Sequence, residues 1–281
     1  MQSLARRAFL ATTALAAWPA FAASPWAELE AGSGGQLGVA VLDTGTGQLT
    51  GNRLDDRFPL CSTFKWLLAA AVLQRVTQGR ESLDRSVNYT REDLAGHAPV
   101  TEARLAHGSM SVQALCEAAV VESDNGAANV LLRVIGGPAA VTAHARSLGD
   151  RTTRLDRIEP ALNDVAPGDP RDTTTPRAMA RLLQRALLQD GGDKGDRAML
   201  LEWMEKSPTG RARLRAQLPA GWRAATKTGT GPRGTTNDVG VLWPANGAAP
   251  LVVACYLTGS PKDGPAREAV LAGVGAAIAR G

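Results

Sequence analysis

A serine and a lysine stand three residues apart, at Ser62 and Lys65, in a stretch whose apolar residues recur every three to four positions. Residues with this spacing are neighbours on one face of a helix, and Ser62 falls in its first turn, where the helix dipole favours developing negative charge. A serine becomes nucleophilic only when a neighbouring group takes its proton, and a lysine kept neutral by burial or by another cation can do so. The pair indicates acyl transfer to Ser62, although this spacing alone often arises by chance.

Two further polar motifs follow along the chain. Ser123, Asp124 and Asn125 lie between two helical stretches, where their ordinary role would be to end one helix and cap the next. The run from Lys227 to Gly231 closes a predicted strand instead of leading into a helix, so it does not predict a phosphate-binding loop. The order of the three motifs along one chain points to a shared site.

A loop between the second and third motifs carries a carboxylate and an amide four residues apart, at Glu159 and Asn163. These two side chains could hold one water molecule between them, and Arg157 with Asp172 could pin the neck of the loop as a charge-assisted pair. A glutamate in a loop is usually only a solvated acid. The surrounding pattern is what assigns Glu159 a role in activating water.

Taken together, these motifs resemble those of the penicillin-recognising serine enzymes, in which Ser-x-x-Lys, Ser-Asp-Asn and Lys-Thr-Gly occur in this order. Within that superfamily the segments 157–163 and 169–173 resemble the Ω-loop of class A β-lactamases, and the similarity extends over essentially the whole mature chain. The resemblance implies hydrolysis of the β-lactam ring of penicillin- and cephalosporin-type antibiotics through a serine acyl-enzyme. It implies antibiotic resistance, a small-molecule β-lactam substrate and no cofactor.

The same resemblance assigns roles to individual residues. Ser62 would attack the lactam carbonyl, with the oxyanion held by the backbone N–H groups of Ser62 and Thr230. Ser123 would pass a proton to the lactam nitrogen, and Glu159 would activate the water that releases the product. The base for acylation stays open between Lys65 and Glu159, and we favour Glu159 for both steps. The remaining groups would be the substrate-binding residues Asn125, Asn163, Lys227, Thr228, Gly229, Thr230 and Arg213, and the supporting residues Asn129, Arg157 and Asp172.

Several positions depart from the commonest class A pattern. Thr236 stands where many members carry an arginine for the substrate carboxylate, and Arg213 matches the position from which a subset supplies that charge instead. His97 stands where an aromatic residue often gates the cleft, and its effect on substrate range is left open. The sequence does not rank penicillins, cephalosporins and carbapenems.

The three cysteines are expected to be free, buried thiols. Cys61 precedes the nucleophile, as in class A carbapenemases, but Gly231 stands where its disulfide partner would be. Cys116 similarly faces Ala69 where other members bond two cysteines. Cys255 is the third.

The secondary structure elements that position these residues are predicted from hydrophobic periodicity. It indicates strands near both ends of the chain and helices between them. A helix opens the mature chain, and a hairpin of two strands follows. The predicted strands are 36–42, 47–53, 223–229, 236–243 and 251–258, and the predicted helices are 62–78, 112–122, 127–135, 138–148, 176–189, 195–206 and 264–279.

The expected fold is α+β of the α/β sandwich type, with a five-stranded antiparallel sheet flanked by helices and an inserted all-helical subdomain. Residues 23–60 and 212–281 would form the sheet-containing subdomain. Residues 61–211 would form the helical subdomain, with the Ω-loop at about 154–172. The active site is expected in the crevice between the two.

The first 22 residues predict an export signal, with Arg6 and Arg7 before a short apolar stretch that ends in small residues. The paired arginines favour the twin-arginine route to the periplasm or exterior over ordinary secretion. The stretch is too short for a membrane anchor. Removal of this segment lowers the net charge from +4 to about +2, because it holds two arginines and no acids.

Composition narrows the remaining function classes. The weak net charge and the 4% of aromatic residues give no support for nucleic-acid binding, and the three histidines lack the spacing of a metal site. We expect a monomer that is not bound to a membrane once the signal is removed. Two alternatives remain open: a penicillin-binding DD-peptidase, against which Glu159 and Asn163 argue, and a penicillin-binding sensor domain that is acylated only once.

Overall fold

The computed structural model describes residues 24–189 and 193–280, so the predicted export signal lies outside the described residues. Within these residues nine α-helices and nine strands are present. The helices are α1 (Pro25–Ser33), α2 (Phe64–Thr77), α3 (Pro99–Ala103), α4 (Val112–Val121), α5 (Asn125–Ile135), α6 (Pro138–Ser147), α7 (Pro176–Leu183), α8 (Lys194–Lys206) and α9 (Gly264–Arg280). The strands are β1 (Gln36–Asp43), β2 (Leu49–Asn52), β3 (Phe58–Pro59), β4 (Ser86–Asn88), β5 (Ser109–Ser111), β6 (Thr173–Thr174), β7 (Arg223–Gly231), β8 (Thr235–Trp243) and β9 (Leu251–Thr258).

The main sheet has five strands in the order β2-β1-β9-β8-β7, and every neighbouring pair is antiparallel. Its strands come from both ends of the chain, with β1 paired to β9 along its whole length. The predicted α+β fold with a five-stranded antiparallel sheet is confirmed. The short pairs β3 with β6 and β4 with β5 were not predicted from the sequence.

Helices cover both faces of this sheet. On one face α1 and α9 pack over a cluster that includes Leu37, Val39 and Leu257. On the other face α7 packs against β1 and β9, and Gly38 allows the close approach, because a Cβ there would lie 2.8 Å from Cγ of Pro176 at the start of α7. Helix α7 therefore belongs to the sheet's packing although it lies within the predicted helical subdomain.

The central helix of the molecule is α2, which contacts α4, α5, α6 and α8. Nearly all of its first ten residues are buried, as expected of a helix surrounded by others on every side. The helix begins with a 3₁₀ turn at Cys61–Thr63 instead of at Ser62 directly. The predicted helix 176–189 is divided, because α7 ends at Leu183 and continues as a π-helix over Gln184–Leu188. Residues 177–189 contain no proline or glycine, so the sequence does not predict this change of helix type.

No single helix among the described residues has the length and apolarity needed to cross a bilayer, and α5 with α6 meets that test only as a pair bent by 72°.

His144 on α6 is a titratable side chain buried in the helical core. It is 8% exposed, and its Nδ1 lies 3.0 Å from the amide oxygen of Gln74 on α2. Burial lowers the pKa of His144 from 6.5 to about 4. The folded protein therefore keeps this ring neutral at pH values where the unfolded chain protonates it.

This pKa shift predicts a loss of stability in acid. Between pH 6.5 and 4 the unfolded state binds the proton first, so the free energy of unfolding should fall with decreasing pH by about 3 kcal/mol from His144 alone. Chemical denaturation of the parent and of His144→Gln at pH 7, 5.5 and 4 measures this as a pH-dependent difference between them. His107→Gln is the control, because His107 is exposed. The prediction would be contradicted if the two substitutions changed the free energy of unfolding equally at each pH.

Candidate active site

Ser62 lies in the 3₁₀ turn that leads into α2, and the sheet holds this turn in place. The side-chain amide of Asn237 on β8 donates to the carbonyl of Pro59 at 2.9 Å. Gly229 on β7 allows the strand to approach, because a Cβ there would lie 3.0 Å from the carbonyl oxygen of Leu60. Cys61 adopts φ 44°, in the left-handed region that costs a non-glycine residue about 1–3 kcal/mol. This turn places the Ser62 hydroxyl in the cleft.

Lys65 follows one turn later and is fully buried. Its Nζ donates to Ser62 Oγ at 3.0 Å, to the carbonyl of Ser123 at 2.7 Å and to Asn125 Oδ1 at 2.5 Å. Burial lowers the pKa of Lys65, while the carboxylate of Glu159 acts in the opposite sense. The amine thus joins Ser62 to the segment at the start of α5.

Glu159 reaches the same point from the Ω-loop. Its side chain is buried, and its Oε1 lies 3.1 Å from Lys65 Nζ and accepts from Ser62 Oγ at 3.4 Å. Its Oε2 accepts from the side-chain amide of Asn163 at 2.5 Å. The serine, the lysine and the carboxylate are therefore within hydrogen-bonding distance of one another, with the Asn163 amide bonded directly to the carboxylate.

The main chain of the Ω-loop is held by side chains instead of by regular structure. Asn129 on α5 accepts from the N–H of Glu159 at 3.0 Å and donates to its carbonyl at 3.1 Å. At the neck Arg157 Nε lies 2.5 Å from Asp172 Oδ2, and the other carboxylate oxygen accepts from the N–H groups of Asp156 and Arg157. The Glu159–Pro160 peptide bond is cis. The neck pair expected from the sequence is present.

On the opposite side of the cleft Lys227 Nζ donates to Ser123 Oγ at 2.9 Å. Burial lowers the pKa of Lys227 well below its usual value, and the charges of Lys65 and Arg213 act in the same sense. Asp124, the middle residue of the second motif, points away from the cleft and caps α5 through Ala127 N–H. The capping role considered for this motif thus applies to Asp124, while Ser123 faces the site.

Arg213 lies beside the C-terminal residues of β7. Its guanidinium donates to the carbonyl of Gly229 at 2.9 Å and to Thr230 Oγ1 at 2.8 Å, and its Nε contacts Glu268 on α9 at 3.1 Å. Thr236, in contrast, accepts from Arg267 at 3.0 Å. Of positions 213 and 236, it is therefore Arg213 that presents a charged side chain to the cleft.

The cleft has a volume of about 290 Å³. It is lined by Ser62, His97, Ser123, Asn125, Asn163, Thr209, Arg213, Thr228, Gly229 and Thr230. His97 Nε2 donates to the carbonyl of Glu122 at 2.9 Å, which holds the ring at the rim. Lys65, Glu159 and Lys227 lie beneath this lining, where they are buried.

Two residues that contribute to this region, Thr209 and Glu268, were not identified from the sequence. Thr209 Oγ1 lies 2.7 Å from Thr228 Oγ1, and Glu268 holds Arg213. Neither belongs to a motif, and each is separated from its partner by many residues, so no local pattern could have identified them. Across residues 24–189 and 193–280 no group of three His, Cys, Asp or Glu side chains is placed to hold a metal ion.

The chain is similar to known β-lactamases in sequence and in structure. A family model described as the beta-lactamase enzyme family matches residues 23–280. β-Lactamase L2 of Stenotrophomonas maltophilia is 48% identical over 254 residues, which cover 90% of this chain and 84% of the relative. The carbapenem-hydrolyzing β-lactamase KPC of Klebsiella oxytoca is 46% identical, with 89% and 85% covered. The solved structure of an ancestral (GNCA) class A β-lactamase is 58% identical with a TM-score of 0.88, over 90% of this chain and 97% of that one.

The cysteines give a prediction at the edge of the site. Cys61, Cys116 and Cys255 are all buried and free. A Cβ built on Gly231 would lie 2.7 Å from the sulfur of Cys61, a separation that one further sulfur atom can bridge. We therefore expect Gly231→Cys to form a disulfide with Cys61 under oxidising conditions.

Thiol titration in denaturant without reductant checks this. The parent should show three reactive thiols, in line with its three cysteines, Gly231→Cys two, and the control Gly231→Ser three. Four thiols in the oxidised Gly231→Cys variant would contradict the expected geometry.

Proposed function

Because this chain belongs to the class A β-lactamase family, we propose that its cleft opens the lactam ring by acyl transfer to Ser62 and releases the product with a water activated by Glu159. The protein hydrolyses the β-lactam ring of penicillin- and cephalosporin-type antibiotics and thereby confers resistance to them. The observation that carries the residue assignment is the meeting of Ser62, Lys65 and Glu159 within 3.4 Å of one another.

In the acylation step Ser62 Oγ attacks the lactam carbonyl carbon, and its proton moves to Glu159 directly or through a water molecule. Lys65 donates to Ser62 Oγ, so its charge stabilises the oxygen as the proton leaves. The N–H groups of Ser62 and Thr230 receive the oxyanion. Ser123 then passes its proton to the lactam nitrogen, and the hydrogen bond from Lys227 Nζ at 2.9 Å stabilises the serine oxygen during that transfer. The proton taken by Glu159 returns to Ser123 through Lys65 and water, so that Glu159 is again a carboxylate when deacylation begins.

In the deacylation step Glu159 takes a proton from water, and the resulting hydroxide attacks the ester carbonyl of the acyl-enzyme. The amide of Asn163 holds one carboxylate oxygen, which leaves Oε1 directed at Ser62. The carbonyl carbon then releases Ser62 Oγ, which takes the proton held by Glu159 and thereby restores the carboxylate. Asn129 supports this step by holding the main chain of Glu159.

The substrate carboxylate is assigned to the cationic end of the cleft. Thr228 and Thr230 present hydroxyl groups there, Lys227 and Arg213 supply positive charge, and Arg213 already donates to Thr230 Oγ1. Asn125 faces the cleft from the other side, where it would bind the acylamino side chain of the substrate. A single pocket contact changes substrate preference by only about 1–3 kcal/mol, so these residues do not rank the antibiotic classes.

The main alternative is a penicillin-binding DD-peptidase or a sensor that is acylated once. Both would share the serine, the lysine and the third motif, but neither requires a buried carboxylate beside the nucleophile. Glu159, held by Asn163 and Asn129, favours turnover over a stable acyl-enzyme.

The remaining assignments concern the whole chain. The protein is exported, and we infer the twin-arginine route from Arg6 and Arg7. We also propose that it acts as a monomer, and that residues 23–60 with 212–281 and residues 61–211 form its two subdomains.

Replacement of the carboxylate should separate the two chemical steps. With a chromogenic cephalosporin the parent should turn over continuously, whereas Glu159→Ala should release about one equivalent more slowly and then stall. Lys65, 3.0 Å from Ser62 Oγ, remains as a base for acylation, but deacylation loses general-base catalysis worth about 10²- to 10⁴-fold. Ser62→Ala should release none. Intact-mass measurement of the stalled variant should find the added acyl group. A parent that also stops after one equivalent would refute the hydrolase assignment.

Removal of the cation at Arg213 should impair recognition of the carboxylate. Arg213→Ala is expected to lower kcat/KM for a penicillin by about 10- to 100-fold, as for loss of one charge-assisted hydrogen bond. For the methyl ester of the same penicillin the loss should be less than about threefold. Exposed Arg211→Ala serves as the matched control, with thermal unfolding to verify folding. Equal losses for acid and ester would contradict the assigned role.

A further inference from the structure

We propose that Arg233 is a positioning residue for deacylation, acting through an ion pair that joins the β7–β8 hairpin to Asp164 of the Ω-loop. The inference rests on the proposed function of Glu159 and adds a residue to it. Arg233 lies at the turn between β7 and β8, 69 residues from its partner in the chain.

The ion pair is well formed although it lies at the surface. Arg233 Nε and Nη2 lie 3.1 and 2.9 Å from Asp164 Oδ1. Arg233 adopts φ 57°, which is unfavourable for its type, and its carbonyl accepts from Gly259 N–H at 2.8 Å. The main chain at Arg233 is thus hydrogen-bonded to the β9–α9 turn, and the side chain extends from this point to the loop.

Part of the loop faces a cavity on its inner side instead of packed side chains. This cavity of about 610 Å³ lies between residues 165–169 and the adjacent ends of β1 and β9, and Arg233 also lines it. Within residues 164–170, as the structure describes them, the hydrogen bonds run inside the loop or to neighbouring Thr173, except for the two that Arg233 donates to Asp164. Arg233 therefore supplies the side-chain link between this half of the loop and the sheet.

The ion pair between Arg233 and Asp164 affects catalysis through Asn163, which precedes Asp164 in the chain. Asn163 donates to Glu159 Oε2 at 2.5 Å, and its main-chain oxygen would lie 3.3 Å from a Cβ on Gly231. The loop and β7 therefore meet at Asn163 on the cleft side and at Arg233 with Asp164 on the outer side. An acyl side chain that extends between β7 and the loop pushes on this junction, and displacement of Asn163 would release the carboxylate that activates water.

The test measures acylation and deacylation separately in pre-steady-state experiments, with a penicillin bearing a small acyl chain and an oxyimino cephalosporin bearing a bulky one. The variants are Arg233→Gln, Asp164→Asn and the charge-exchanged Arg233→Asp with Asp164→Arg. Aspartate tolerates the left-handed conformation required at position 233. Arg171→Gln is the matched control, because Arg171 is an exposed Ω-loop arginine whose pair with Asp169 stays inside the loop.

Each single variant should slow deacylation of the bulky substrate by about two- to fivefold, the range for an exposed ion pair. Acylation should slow less than deacylation, because Ser62 can pass its proton directly to Glu159 or Lys65 whereas deacylation requires a positioned water. The small substrate and the control should change less than about twofold. The charge-exchanged variant should recover the parent rate, and about 1 M salt should slow the parent but not the single variants. Unchanged deacylation in the single variants, or no recovery on exchange, would overturn the proposal. A parent that never deacylates would instead refute the role of Glu159.

Discussion

Burial of opposite charges beside Ser62 is the constraint on which the rest of the structure depends. Lys65 and Glu159 both have fully buried side chains, and each ion loses several kcal/mol of hydration on leaving water. The loss is tolerable only if the ions meet each other and find further polar partners. Lys65 has Asn125 and the Ser123 carbonyl, and Glu159 has Asn163. The site is therefore assembled only when α2, the start of α5 and the Ω-loop are all in place.

The fold meets this requirement with strained and irregular segments held by a rigid frame. Five non-glycine residues among those described have positive φ, and Cys61, Ser123 and Asp172 are three of them. Each lies next to a group that the site needs: the nucleophile, the α4–α5 connection and the neck of the Ω-loop. Such conformations persist only where the surroundings determine them. Here the side-chain amides of Asn129 on α5 and Asn237 on β8, with the carboxylates of Asp156 and Asp172 at the neck of the Ω-loop, hold the main chain. Precision at the cleft thus depends on polar contacts, whereas α2 and the sheet are stabilised by apolar packing.

The electrostatics of the cleft follow from the same arrangement. Lys65, Lys227 and Arg213 converge on one region, and Lys227 feels the other two as neighbouring like charges in addition to its burial. Glu159 lies at the far side, against Lys65. Under the proposed function this distribution suits a substrate with one carboxylate and a carbonyl that becomes anionic. Both negative charges would face cations or N–H groups, while Glu159 stays beside Ser62.

The sequence by itself determined the fold class and the family, and it predicted the site residues that the structure brings together in the cleft. It could do so because the motifs around Ser62, Ser123 and Lys227 are local and hydrophobic periodicity is strong in α2 and in β9. Tertiary structure alone decided the rest. Glu268 beside Arg213, Thr209 beside Thr228, and Arg233 on Asp164 are contacts between distant segments, and no local spacing encodes them. The division of the helix after Leu183 and the packing of α7 on the sheet likewise depend on neighbours that meet only after folding. Chemistry at one position can be read along the chain, whereas the positioning of that chemistry depends on which surfaces pack together.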